Sequence, residues 1–206
     1  DLGVNSFGLV LFTSIFFGAV VAIQMYSNFS ASTFPIPNSF IGYATKVVLI
    51  LEFAPTIISV ILAGKVGSYI ASSIGTMRVT EQIDALDIMG VNSPNFLILP
   101  KILASVIFNP LLIVISIVFG IWGGYLAGIA TGNWSKADYI TGIQMYMPEY
   151  FIWYAIFKTA VFAFLIASIP AFFGYNVKGG SLEVGRASTQ AVVWTIVSII
   201  ITNLIL

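Results

Sequence analysis

The sequence of 206 residues has no cysteine and no histidine, and only 8% of it is charged. Without Cys or His there is no thiol nucleophile, no Ser-His triad and no zinc-type metal site. The missing Cys says little about redox compartment, because a chain embedded in a bilayer needs no disulfide. Soluble domains carry roughly 25% charged residues, so this chain cannot clothe a globule in solvated side chains, and a soluble fold is excluded. Eight Lys plus Arg balance eight Asp plus Glu, with no long basic run. That leaves nothing suited to a nucleic-acid backbone, and no nucleic-acid partner is expected. A nucleotide-binding Gly-x-x-x-x-Gly-Lys-Ser/Thr is also missing: Gly64-Lys65 has Ser59 where the first Gly belongs, and Val66 follows. No carboxylate pair is placed for acid–base work, so the chain is not expected to be an enzyme.

What is present is apolar. Hydrophobic residues make up 59%, and 2–45, 102–135, 159–177 and 187–206 hold no charge at all. A membrane-crossing helix needs about 20 mostly apolar residues, and hydropathy marks five, at about 6–27, 43–65, 101–130, 151–175 and 187–206. The period-2 alternation of a membrane barrel is absent from these runs, so the fold class is an all-α integral membrane protein, one transmembrane domain over 1–206. The chain opens on Asp1 rather than Met, from which further N-terminal residues are expected; the 7–23 run is too long, and lacks the charged front, for a signal peptide.

Orientation follows from the connections. Lys65, Arg78 and Lys101 lie in 65–101 and Lys178 and Arg186 in 176–186, whereas 28–42 and 131–150 hold only Lys136. Positive charge stays inside, so the two basic segments are expected to be cytoplasmic and the C-terminus external. Trp134, Tyr139, Tyr146, Tyr150 and Trp153 then form an external aromatic belt, with Tyr139, Ile143 and Tyr146 spaced for a short interfacial helix. Gly120, Gly124 and Gly128 present a small-residue face for close helix approach. Pro55, Pro110 and Pro170 lie inside spans, where each is expected to kink its helix. Lys46 sits near the external interface and calls for no special account.

Two charges lie deeper. Glu52 is about nine residues, and Lys158 about seven, from the external end of its span, roughly 10–14 Å in at 1.5 Å per residue. A lone charge there costs at least ~2.5–3.5 kcal/mol. The two are therefore expected to pair or to line one polar cavity on the substrate path.

The segment between spans two and three is the most informative. Val79, Ile83 and Leu86 share one helical face, and Glu81, Asp84 and Asp87 form an acidic flank. Thr80 is read as the N-cap, followed by Glu81 and Gln82; Gly90 suits a left-handed C-terminal turn, with Pro94 beyond it. This describes a helix of about ten residues within 79–90. An anionic inner leaflet attracts basic segments at about 1 kcal/mol per Lys or Arg and repels this one. An acidic amphipathic helix suits instead a basic groove on a soluble protein.

Met77-Arg-Val-Thr80-Glu-Gln-Ile-Asp-Ala-Leu-Asp-Ile-Met-Gly90-Val91 resembles the signature of the MlaE (YrbE) permease family of lipid-transporting ABC systems. Three further stretches agree in order. They are Glu52-Phe-Ala-Pro55 with Ala63-Gly-Lys-Val-Gly-Ser68, then Gly120-Ile-Trp-Gly-Gly124, then the 179–193 loop. The chain departs from the family pattern at Leu51, where Arg is frequent, and at Glu183, where a small residue is usual.

The resemblance implies an ABC permease of five spans with a cytoplasmic coupling helix, working as a homodimer in the bacterial inner membrane, its C-terminus periplasmic. It implies a cytoplasmic ATPase docked at Thr80, Glu81, Gln82, Ile83, Asp84, Leu86 and Asp87, so that ATP is held by that partner and this chain has no cofactor of its own. It also implies an MCE-domain protein on the external side, phospholipid as substrate, and acyl chains along spans one, two and five at the dimer seam. The competing reading is a secondary transporter or channel for a small solute, and a third is a passive scaffold. Five spans, no evident repeat and one deep carboxylate weigh against a secondary transporter.

Overall fold

The computed structural model describes residues 4–32 and 36–206, and every regular element among them is helical. In chain order these are α1 (Val4–Ser30), α2 (Ser39–Val48), α3 (Ile58–Leu62), α4 (Ser68–Val79), α5 (Gln82–Ile88), α6 (Ser93–Leu97), α7 (Leu99–Thr131), α8 (Lys136–Gln144), α9 (Tyr150–Tyr175) and α10 (Ser181–Ile205). Two π-helical stretches, Leu49–Ile57 and Ala63–Gly67, join α2, α3 and α4 into one rod.

Five helical segments are long and apolar enough to cross a membrane: Ser6–Ser30, Ser39–Val79, Ser93–Thr131, Tyr150–Tyr175 and Ser181–Ile205. All five expected spans are therefore present. The second ends at Val79 rather than near 65, and the third begins at Ser93 rather than near 101. Hydropathy marks the part of a helix that sits in lipid, and no Pro or left-handed Gly lies between 65 and 79 to stop the rod. Large apolar side chains face outward along these spans, among them Phe12, Phe16, Ile107, Val118 and Trp194, each more than half exposed. That surface needs lipid rather than water around it.

The chain forms two compact units. One is built chiefly from Ser59–Pro110 and Lys158–Leu206, the other from Phe7–Ile58 and Leu111–Phe157, and α7 and α9 contribute to both. In the first, α4 packs on α10 and α9. A Cβ on Gly75 would lie 3.1 Å from Val184, and one on Gly174 would lie 2.6 Å from the Ala71 carbonyl. Between them are the buried side chains of Leu62, Ile70, Ile74, Phe162 and Ile166. Polar ties across this core include Ser105 donating to the Ala163 carbonyl at 3.0 Å, Lys101 to the Ser73 hydroxyl at 3.2 Å and Ser188 to the Ser68 carbonyl at 3.2 Å.

In the second unit α1 lies on α7 at glycine. A Cβ on Gly18 would overlap the Gly120 carbonyl, and one on Gly123 the Ile15 carbonyl. Of the expected small-residue face only Gly120, joined by Gly123, meets the α1 backbone, and there backbone contact replaces the side-chain burial that drives packing in water. Gly124 and Gly128 serve a different purpose, leaving room for the rings of Tyr139 and Trp134.

The short helix expected around Tyr139 is α8, but the aromatic belt is corrected. Tyr139 is wholly buried and Trp134 nearly so, forming a core with Ala22, Ile41 and Ala127. The Tyr139 hydroxyl donates to the Ile121 carbonyl at 3.1 Å, and burial pushes its phenol above the ordinary range. Tyr146, Tyr150 and Trp153 remain exposed, as a belt requires. Lys46 is also more than an interfacial cation: only 8% exposed, it donates to the carbonyls of Ile143 and Met145 at the end of α8. A cation suits the orphan carbonyls of a helix C-terminus.

Pro110 and Pro170 sit within unbroken α7 and α9, while Pro55 lies in the first π-helical stretch. Having no N–H, Pro55 cannot meet the Leu51 carbonyl in α-helical register, and a π register relaxes that demand.

Candidate functional site

The segment that the acidic pattern singled out is α5 with its two flanks. It is shorter than the expected ten residues, seven from Gln82 to Ile88, and its start is not the Thr80 cap. Thr80 closes the preceding helix instead: its hydroxyl donates to the Thr76 carbonyl at 2.8 Å, and Val79 belongs to α4. Glu81 takes the N-cap position with φ 60°, the one non-glycine residue in left-handed conformation among the described residues. The reason is geometric. The chain reverses between α4 and α5 within two residues, so one of them must leave the right-handed region, at about 1–2 kcal/mol for a non-glycine residue.

The C-terminus of α5 is as expected. Gly90 has φ +78°, its N–H meets the Asp87 carbonyl at 3.0 Å, and the Val91 N–H meets Leu86 at 3.1 Å. These two bonds define a Schellman turn, which glycine forms without steric penalty. Pro94 then lies in the first turn of α6, where the Asn92 side chain caps the Asn95 N–H at 3.2 Å.

Ile83 is fully buried and anchors α5, while Leu86 is half-buried. Glu81, Gln82, Asp84 and Asp87 are exposed, and so are Ile88 at 87% and Met89 at 67%. The outward surface is therefore acidic with an apolar tip. Asp84 faces within the molecule as well as outward: it pairs with Arg78 at 2.6 Å. Arg78 also lies over the Tyr175 ring at 5.7 Å, and the Tyr175 hydroxyl meets the Ser93 hydroxyl at 3.0 Å. The sequence pattern did not reveal this chain of contacts, because Tyr175 is far from Arg78 in sequence and reads as the end of an apolar span.

The two deep charges differ in setting. Glu52 is exposed and lies in the first π-helical stretch, the kind of irregularity common at functional sites. It is 13 residues beyond Ser39, where α2 begins. Lys158 is completely enclosed, eight residues beyond Tyr150 on α9. Glu52 falls in the second unit and Lys158 in the first, and neither is without an interaction. Among the described residues there is no group of three or more His, Cys, Asp or Glu that could hold a metal.

Five helices long and apolar enough to cross a membrane define a multi-pass membrane protein. The sequence model of the family described as Permease MlaE matches residues 1–206. A "Probable ABC transporter permease protein" of Rickettsia bellii is 39% identical over 98% of this chain and 77% of its own length. The "Intermembrane phospholipid transport system permease protein MlaE" of Haemophilus influenzae is 31% identical over 93% of this chain and 73% of its own length. The chloroplastic "Protein TRIGALACTOSYLDIACYLGLYCEROL 1" of Arabidopsis thaliana is 31% identical over 99% of this chain and 57% of its own length. The chain belongs to the MlaE permease family.

Proposed function

We propose that this permease moves phospholipid between the bacterial inner membrane and the cell envelope, driven by a separate ATPase that grips α5. The observation that carries the reading is the geometry of α5. A seven-residue helix is too short to stand alone, yet it is anchored by buried Ile83 and presents exposed carboxylates and the apolar Ile88–Met89 tip outward. Such a surface fits a basic groove with an apolar floor on a soluble partner. Phospholipid as cargo is supported by the Haemophilus relative's name, and a motor elsewhere by the lack of a nucleotide-binding loop in this sequence.

In this reading α5 is cytoplasmic and the C-terminus periplasmic, consistent with the basic connections at Lys65–Lys101 and Lys178–Arg186. Two copies of the chain form the working permease, each carrying one ATPase, and an MCE-domain protein receives or delivers lipid on the periplasmic side. ATP binds only the partner. Glu52 and Lys158 supply the charge along the headgroup path, and Glu52, exposed on a π-helical stretch, is the one open to contact.

The test is to express the chain with its neighbouring subunits, purify the assembly in detergent, count subunits and identify bound lipid by mass spectrometry. Two permeases, two ATPases and co-purifying phospholipid are expected. A chain that transports a small solute with no ATPase attached would point to the secondary-transporter reading instead.

A further inference from the structure

Taking α5 as the handle for an ATPase leaves open how its movement reaches the membrane. A helix of seven residues has little stability of its own, so whatever holds its orientation also decides where an applied force goes. Apart from buried Ile83, the polar contacts described around α5 run through one series of side chains. Asp84 on α5 binds the Arg78 guanidinium at 2.6 Å. Arg78, in the last turn of α4, lies 5.7 Å from the centre of the Tyr175 ring, within cation–π range. The Tyr175 hydroxyl reaches Ser93, a wholly buried residue at the start of α6, at 3.0 Å. Both flanks of α5 are thereby fastened to one residue, the last of α9.

Alpha-9 is also the span that carries Lys158, 17 residues before Tyr175 and so roughly 25 Å along the helix. The helix runs unbroken from Lys158 through Pro170 to Tyr175, so displacement of its fastened end is passed along it. We infer that Arg78 and Tyr175 are positioning residues that couple α5 to α9, so that the motor's stroke on α5 is delivered to the span holding the buried Lys158. Neither residue needs to touch ATPase, nucleotide or lipid. Planarity suits Arg78 to this role, because one guanidinium can face a carboxylate along its edge and a ring across its face. The inference rests on α5 being the ATPase handle, and its test separates the two.

The complex with its ATPase is reconstituted in phospholipid vesicles, and lipid transferred per ATP hydrolysed is measured. In Arg78→Gln and Tyr175→Leu the ATPase stays bound and keeps hydrolysing, while lipid moved per ATP falls roughly tenfold. Arg78→Lys, which keeps a cation near the ring but loses the planar guanidinium, recovers only part of that ratio. Tyr175→Phe, which keeps the ring and loses only the Ser93 tie, is intermediate and serves if the leucine variant folds poorly. Because the chain has no Cys, spin labels at Ala85→Cys and Asn176→Cys report the α5–α9 separation. It is narrowly distributed through the nucleotide cycle and broadens in Arg78→Gln. A lipid-to-ATP ratio within twofold of the parent in both Arg78→Gln and Tyr175→Leu overturns the coupling role alone, as does ATPase loss in step with transport. A parent chain that purifies without any ATPase overturns the handle reading and this one with it.

Discussion

The Lys46 ammonium lies 2.7 Å from the carbonyl oxygen of Met145, almost a hundred residues away in sequence, and 2.8 Å from that of Ile143. A nearly buried lysine thus closes the C-terminus of α8 and holds it on α2. Hydrogen bonds to charged groups contribute about 1.5–3 kcal/mol each. Lys46→Met, which keeps the length and loses the charge, is therefore expected to lower stability by about 2 kcal/mol or more. Thermal unfolding of the purified protein in detergent reads this directly, and a midpoint equal to that of the parent would show that the clamp contributes nothing.

The α1–α7 contact makes a paired prediction on one helix. A Cβ on Gly18 would overlap the Gly120 carbonyl, whereas one on Gly8 meets nothing within 4 Å. Gly18→Ala should cost on the order of 1–3 kcal/mol by overpacking. Gly8→Ala should be neutral or stabilise by up to about 1 kcal/mol through helix propensity. Equal unfolding midpoints for the two variants would contradict a backbone contact at Gly18.

The deep charges should separate into one structural and one functional residue. Lys158 is fully enclosed and engaged, so Lys158→Ala leaves a cavity and an unmatched buried group and is expected to reduce folding yield sharply. Exposed Glu52→Gln, which keeps the side chain's size and its hydrogen-bonding oxygen, should leave the permease folded while slowing phospholipid transfer in vesicles. Full stability in Lys158→Ala, or unchanged transfer in Glu52→Gln, contradicts the respective assignment.

Much of this fold is legible in the sequence because the bilayer imposes it. Charge-free runs must be helices, Gly120 must let a neighbour close, and Gly90 must end a helix in left-handed conformation. What escaped depends on partners distant in the chain. Tyr139 and Trp134 have the composition of a headgroup belt, yet Ala22, Ile41 and Ala127 enclose them. Thr80 has the chemistry of an N-cap, but α4 runs long enough to claim its hydroxyl for Thr76, and the reversal falls on Glu81. At the candidate site the acidic outer face was readable from spacing alone. The tie from Arg78 to Tyr175 was not, since no local pattern links a cation on α4 to the last ring of a distant span.

The central claim is that the outer face of α5 receives an ATPase, and charge reversal tests it most directly. Glu81 and Asp87 are the residues to change, because Asp84 is already engaged by Arg78 and its reversal would confuse docking with internal structure. Glu81→Gly serves as the control that keeps the left-handed turn while removing one charge. Measured as ATPase retained on the purified permease together with ATP-driven phospholipid transfer, Glu81→Lys combined with Asp87→Lys is expected to abolish both while the permease stays inserted and folded. Full ATPase retention and full transfer in that double variant would contradict the account.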